Sequence, residues 1–236
     1  ALAGTGITAY VGGATATAVD FSTVLKDKLP SFLLVVVCLG FLVLMVLFRS
    51  LLVPLTAVLT SLLSYGAALG ISVFIFQWGN LASVFGIAEA GPILPFLPVM
   101  LFAILFGLSM DYQVFIVSRM QEAWEHHKDN KAAVRVGLGG SGQVVVAAAL
   151  IMFCVFMSFV FQSNATIKLF GLALAVAIAL DAFVVRLALV PALMTLFGKA
   201  NWYVPGWLGK ILPKVSVEGP PSSKPADDSL NPAGNP

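Results

Sequence analysis

Asp111 is a carboxylate set deep in a long apolar run, Ile93 to Val117, and Tyr112 follows it with a phenolic hydroxyl. An ionisable group near the middle of a bilayer costs at least about 2.5–3.5 kcal/mol, so such residues mark proton or ion pathways by default. The chemistry on offer is proton exchange, with a tyrosine able to donate a hydrogen bond to the charged form. The alternative is a buried acid held by a hydroxyl or amide for packing alone. On a helix, Gly107, Asp111, Phe115 and Ser118 fall on one stripe, at spacings of four, four and three. That stripe predicts that the acid is aimed at a neighbouring helix, which Gly107 allows to come close. Counting back from Arg119 at about 1.5 Å per residue puts Asp111 about 12 Å inside the cytoplasmic end. The depth suits a proton relay better than an interfacial ion pair.

Asp181 and Arg186 form a second charged pair. Five residues is about 140° around an α-helix, so the two are not expected to face each other, and Arg186 is expected to extend toward the cytoplasmic side. A mainly structural, charge-cancelling role is assigned to this pair. Asp111 has no counter-ion within its own span and ranks first. Gly137-Leu138-Gly139-Gly140-Ser141-Gly142 matches the dinucleotide fingerprint by letter. That motif needs a preceding strand and a βαβ unit, whereas here a basic loop precedes an apolar span. Close helix packing, or flexibility where the span begins, is the better account. His126-His127 lacks helical metal-ligand spacing and reads as a solvated turn. No nucleophile–base constellation, phosphate-binding loop, metal motif or cofactor motif presents itself, so the reading is not an enzyme.

These residues need elements to hold them, and composition says which. The chain is 59% hydrophobic and 10% charged, against about 25% charged in a soluble domain, so it is an integral membrane protein. A net charge of +2 gives no footprint for nucleic acid. Cys38 and Cys154 lie within apolar runs and behave as small hydrophobes. The expected fold class is an all-α membrane protein with five spans, about 30–48, 51–76, 93–117, 132–161 and 167–197, each near the 20 apolar residues a crossing needs. The runs are continuous rather than alternating, which excludes barrel strands. A tight helical hairpin, Phe48-Arg49-Ser50-Leu51, joins the first two.

Basic residues set the orientation. Arg49, Arg119, Lys128, Lys131, Arg135, Lys199, Lys210 and Lys214 fall on one side, and only Lys26, Lys28 and Lys168 on the other. The N-terminus is therefore expected outside and the C-terminus in the cytoplasm. Around the transmembrane domain, 30–198, three further parts are expected. Residues 1–29 read as the end of a larger extracytoplasmic domain, with a strand over Ile7–Val11 and a helix from Thr15 that enters the membrane through Pro30. Residues 199–217, with Trp202, Tyr203 and Trp207, read as a cytoplasmic interfacial anchor. Residues 218–236 read as a disordered tail. The chain starts in mid-domain style, without an initiator Met or a basic leader, and reads as a piece of a longer protein.

Phe106-Gly107-Leu108-Ser109-Met110-Asp111-Tyr112-Gln113-Val114-Phe115 with Ser118-Arg119 resembles the signature of the MMPL family of the resistance–nodulation–division superfamily. Val11–Ala16, Ile167–Leu172, Asp181–Arg186 running on to Leu189-Val190-Pro191-Ala192, and Asn201-Trp202-Tyr203 agree with it, in order, over residues 10 to about 213. The resemblance implies the end of an α+β porter domain followed by the last five of twelve spans. It further implies an N-terminal half with its own Asp-Tyr pair, each Asp hydrogen-bonded to the other half's Tyr. Asp111 and Tyr112 would form this chain's half of that proton relay. Implied partners are that N-terminal half, membrane lipids and a lipid or other hydrophobic substrate, in the plasma membrane. The relay cannot close within this chain.

The function expected is proton-motive-force-driven export of lipids, glycolipids or other hydrophobic molecules. Its physical logic is that a titratable midplane carboxylate changes charge, and each charge state favours a different helix packing. The alternative is a non-pumping lipid- or sterol-sensing protein of the same superfamily.

Overall fold

Long apolar runs with few breaking residues fold into continuous helices, because in lipid every backbone polar group must be satisfied within the segment. The computed structural model describes residues 12–81, 83–85 and 91–203. Within them lie helices α1 (Ala14–Phe48), α2 (Leu52–Ser72), α3 (Leu97–His127), α4 (Asn130–Ser158), α5 (Ala165–Ala179) and α6 (Val190–Phe197). α2 ends in a π turn, Val73–Gln77, and α4 in a 3-10 turn, Phe159–Phe161. A ten-residue π segment, Leu180–Leu189, joins α5 to α6, and a 3-10 turn, Gly198–Trp202, follows. Five helical stretches are long and apolar enough to cross a membrane: Ala14–Phe48, Leu52–Gln77, Leu97–His127, Asn130–Phe161 and Ala165–Trp202. The all-α, five-span expectation is met. The expected Ile7–Val11 strand, Val204–Trp207 and the 218–236 tail lie outside the described residues.

At 35 residues, α1 is about 52 Å long, well beyond the roughly 30 Å hydrocarbon core. It runs unbroken through Pro30, which lies on an exposed face where the carbonyl left without a donor is not enclosed. Arg49, with φ 45°, makes the left-handed turn that reverses the chain from α1 into α2. Asp129 caps α4 by accepting from Lys131 N at 3.0 Å, and Asn164 caps α5 by accepting from Thr166 N at 2.9 Å.

The bundle is inverted relative to a water-soluble one. Leu34, Val35, Leu39, Leu59, Leu63, Val144 and Ile151 face outward, while Ser61, Ser64, Ser109, Gln113, Asp181 and Arg186 are buried. Cys38 and Cys154 also face outward. Two apolar clusters flank the polar residues. Tyr65, Leu101, Phe102, Leu105, Leu169 and Leu172 belong to one, and Leu44, Val53, Ile116, Met120, Val185 and Val190 to the other. In α2 and α3 the polar residues occupy the positions between these clusters, so they form a layer across the interior.

At Gly137, α3 and α4 pack closely: a Cβ there would lie 2.5 Å from Met120 Cγ and 2.8 Å from Met120 Cα. The glycine-rich run therefore sits inside α4, which α3 and not a strand precedes. Packing explains Gly137, whereas Gly139 and Gly140 face open space.

Of the segment after α6, expected as an interfacial anchor, the described residues 198–203 pack on the bundle. Asn201 is fully buried; its Nδ2 donates to Met194 O at 2.7 Å, and its carbonyl accepts from Ser50 Oγ at 2.6 Å. Trp202 stacks on Trp124, with centroids 5.8 Å apart and planes at 10°, and its Nε1 donates to Asn130 Oδ1 at 2.9 Å. Gly198, with φ +57°, turns the chain back so that these side chains pack on the bundle's end. Of the two described aromatics, Trp202 and Tyr203, Tyr203 is the exposed one.

Candidate functional site

Helix α3 carries the candidate site on two opposite faces. Two residues along an α-helix is about 200° of rotation, so Asp111 and Gln113 must point apart. Asp111 is exposed on the bundle surface, and Gln113 is fully buried. Gly107 and Phe115 are exposed with Asp111, and nothing lies within 4 Å of a Cβ built on Gly107. The stripe expected to meet a neighbouring helix therefore meets none among the described residues; the chain's own helices pack on the other side of α3. Ser118, assigned to helix packing, instead donates to Phe115 O at 3.0 Å within its own turn. Tyr112 is half-buried, and its hydroxyl is enclosed without a hydrogen-bond partner among the described residues.

On the inner face, the fifth span brings Asp181 and Arg186 together, contrary to the 140° expectation. The cause is the π segment Leu180–Leu189. Its i→i+5 hydrogen-bonding pattern stacks residues five apart on adjacent turns. Arg186 Nε lies 3.4 Å from Asp181 Oδ2. Arg186, expected to extend toward one end of its span, stays inside the bundle: it is fully buried, and Asp181 is 2% exposed.

Beyond its own span, the guanidinium meets two helices, α2 and α3. Nη1 donates to Gln113 Oε1, and Nη2 donates to Ser109 Oγ and, at 3.2 Å, to Ser61 Oγ. Ser109 Oγ in turn donates to Asp181 Oδ1 at 3.1 Å and lies 2.8 Å from Ser61 Oγ. With the Ser109 proton on Asp181, Ser61 must donate to Ser109, so the proton inventory closes for both hydroxyls. A buried charge pair is tolerable only with such added hydrogen bonds, because desolvation costs several kcal/mol per ion.

Sequence reasoning ranked Asp111, Tyr112, Asp181 and Arg186 but passed over Gln113, Ser109 and Ser61. A signal existed. Ser109 and Gln113 are polar residues four apart in an apolar run, and Thr56, Thr60 and Ser64 repeat at the same spacing on α2. His126 and His127 end α3 on its exposed side. Nearby, a groove of about 520 Å³ is lined by Arg119, Glu122, His126, His127, Val136 and Gly140 among others.

Five long apolar helices, a charged layer inside and an acid on the outer face define a multi-pass membrane protein. The chain belongs to the MMPL family, whose family model matches residues 1–213. It is 50% identical over 214 residues to Membrane protein YdfJ of Bacillus subtilis, covering 91% of this chain and 30% of that protein. It is 40% identical over 219 residues to the mycolic acid-containing lipids exporter MmpL11 of Mycolicibacterium smegmatis, covering 93% of this chain and 23% of the relative. It is 34% identical over 212 residues to the trehalose monomycolate exporter MmpL3 of the same species, covering 90% and 21%. The chain thus spans less than a third of the length of these relatives.

Proposed function

We propose that this chain acts as the C-terminal half of a two-repeat transporter that exports lipids, glycolipids or other hydrophobic molecules by proton motive force. Asp111 is its proton-bearing group, and Tyr112 is the hydroxyl that meets the opposite half's carboxylate. The observation that carries the reading is the outward direction of Asp111. A carboxylate on the bundle's outer face, about 12 Å deep, cannot rest against lipid without the insertion penalty. It calls for a polar surface beyond the described helices, and a second half with its own Asp-Tyr pair supplies one. The Tyr112 hydroxyl, enclosed and without a partner among the described residues, carries a cost of about 1–3 kcal/mol. Turning toward a carboxylate would recover that cost.

In this reading the N-terminus is extracytoplasmic and the C-terminus cytoplasmic. Residues 1–29 close a porter domain, against which the exposed Val19, Phe21 and Val24 of α1 would pack. A lipid substrate is supported by the exporter names of MmpL11 and MmpL3.

The test is export driven by an imposed pH gradient in vesicles carrying the longer protein. Asn is nearly the size of Asp and keeps hydrogen-bonding capacity but cannot exchange a proton near neutral pH. Asp111→Asn should insert normally and export nothing, while Tyr112→Phe should lower export. Equal gradient-driven export by wild type and Asp111→Asn at matched protein levels would remove the relay and favour the non-pumping, lipid-sensing alternative.

A further inference from the structure

Arg186 holds α3 at two points. Ser109 and Gln113 are four residues apart, lie one turn apart on the same face, and are both fully buried. One guanidinium nitrogen donates to each. A single polar contact lets a helix pivot around it, whereas two contacts a turn apart fix its rotation about its own axis. The far end of the grip is also fixed. Arg186 is tied to Asp181 one π turn away, Asp181 accepts from Ser109, and Ser61 of α2 closes the third side.

Asp111 sits midway in sequence between the two gripped residues. At about 100° per residue, Ser109 and Gln113 lie about 200° to either side of it. They therefore straddle the direction opposite Asp111, one above its level and one below. Any rotation at the grip is delivered in full to the carboxylate. With that carboxylate about 5 Å from the helix axis, a 30° turn would move it by about 2.6 Å. That is nearly the whole length of a charge-assisted hydrogen bond.

We propose that Arg186, Ser109 and Gln113 form a rotational lock on α3 that fixes the direction in which Asp111 points, making these three positioning residues for the proton-bearing site. The consequence for transport rests on the function proposed above; the lock itself does not. The apolar layers above and below cannot do this as sharply, because dispersion contacts re-form with small shifts, whereas a buried fork with an acceptor out of place loses its bonds outright. The fork also makes the side chains unequal: at position 113 it needs an acceptor, and at position 109 both an acceptor and a donor.

Spin labels at Leu59→Cys on α2 and Phe115→Cys on α3, both on outward-facing positions, report the rotation as a pulsed-EPR distance. Cys38 and Cys154 are replaced by Ala, and the chain is in lipid vesicles. Gln113→Leu removes the acceptor at similar volume. Gln113→Glu keeps an acceptor for Arg186 and serves as the rescue. The lock predicts one narrow distance for the parent and for Gln113→Glu. Gln113→Leu, and more so Ser109→Ala/Gln113→Leu, should shift or broaden it by several ångström. If the double variant does not insert, Ser109→Ala, which loosens one point only, carries the comparison. A narrow, parent-like distance in the loosened variants overturns the lock.

Gradient-driven export by the longer protein is read separately. Lost export with an unchanged distance overturns the lock and leaves the relay standing. A broadened distance with intact export upholds the lock and counts against the relay.

Discussion

Replacing Arg186 by Gln should be the most damaging single change in the polar layer. The side chain is fully buried, and its removal leaves the Asp181 carboxylate, 2% exposed, with only the Ser109 hydroxyl as donor. Gln113 Oε1 loses its partner as well. Breaking a buried pair from one side costs about 3–5 kcal/mol, and an orphaned acceptor about 1–3 kcal/mol more. The second loss overlaps the first, because Gln at 186 can still donate one hydrogen bond, so about 4 kcal/mol is the working figure. That is close to three powers of ten in the folding equilibrium and a large share of a stability of about 5–15 kcal/mol. Asp181→Asn/Arg186→Gln removes both charges together, and a neutral replacement for a buried pair is often tolerated. The double variant should therefore recover about 2–3 kcal/mol over Arg186→Gln, visible as coupling in a double-mutant cycle. The assay is membrane abundance together with unfolding by SDS titration in mixed micelles. Arg186→Gln within about 0.5 kcal/mol of wild type would refute the uncompensated-charge argument. Normal abundance with export abolished would move the pair from support into the relay.

Two further predictions follow from topology and packing. Single cysteines at Val84 and His127, both on exposed positions, should react with an impermeant maleimide from opposite faces of sealed cells, Val84 from outside; labelling of both from outside would overturn the orientation. Gly137→Leu puts side-chain carbons where Met120 already stands, within 2.5–2.8 Å. It should cost about 1–3 kcal/mol by overpacking, while Gly139→Leu, facing open space, should cost nothing in packing and gain in helix propensity in the same SDS titration.

The spans were legible because a bilayer imposes a length and forbids unpaired backbone, so continuous apolar runs near 20 residues leave few alternatives. Asp111 was legible for a similar reason: a lone acid in such a run stands out against every neighbour. The Asp181–Arg186 pairing was not, because a period of 3.6 was carried through ten residues that adopt the π pattern, and no residue type announces that change. Ser61, Ser109 and Gln113 were passed over because each is uncharged and unremarkable alone. Their meaning comes from meeting one guanidinium across three helices. Trp202 was read as an interfacial ring from its type, and only the turn at Gly198 brings it onto Trp124.

The two faces of α3 divide the work that a single charged residue cannot do alone. A carboxylate that must gain and lose a proton needs access to a partner or to water, so it cannot be sealed inside a neutralising network like that around Asp181. It also cannot be left loose, because a relay needs hydrogen-bond distances held to a fraction of an ångström, and a surface side chain is not held by packing. In the proposed relay, the charge pair of the fifth span packs against the inner face of α3 while the exchangeable acid stands on its outer face, which meets both needs. Arg186 with Asp181 carries no net charge to trap a proton, yet it anchors Ser109 and Gln113 one turn apart. Exchanging these faces by a helix rotation of about 180° would bury Asp111 beside Asp181 and set two carboxylates against one guanidinium. The register of α3 is therefore set by charge count as well as by the apolar stripe.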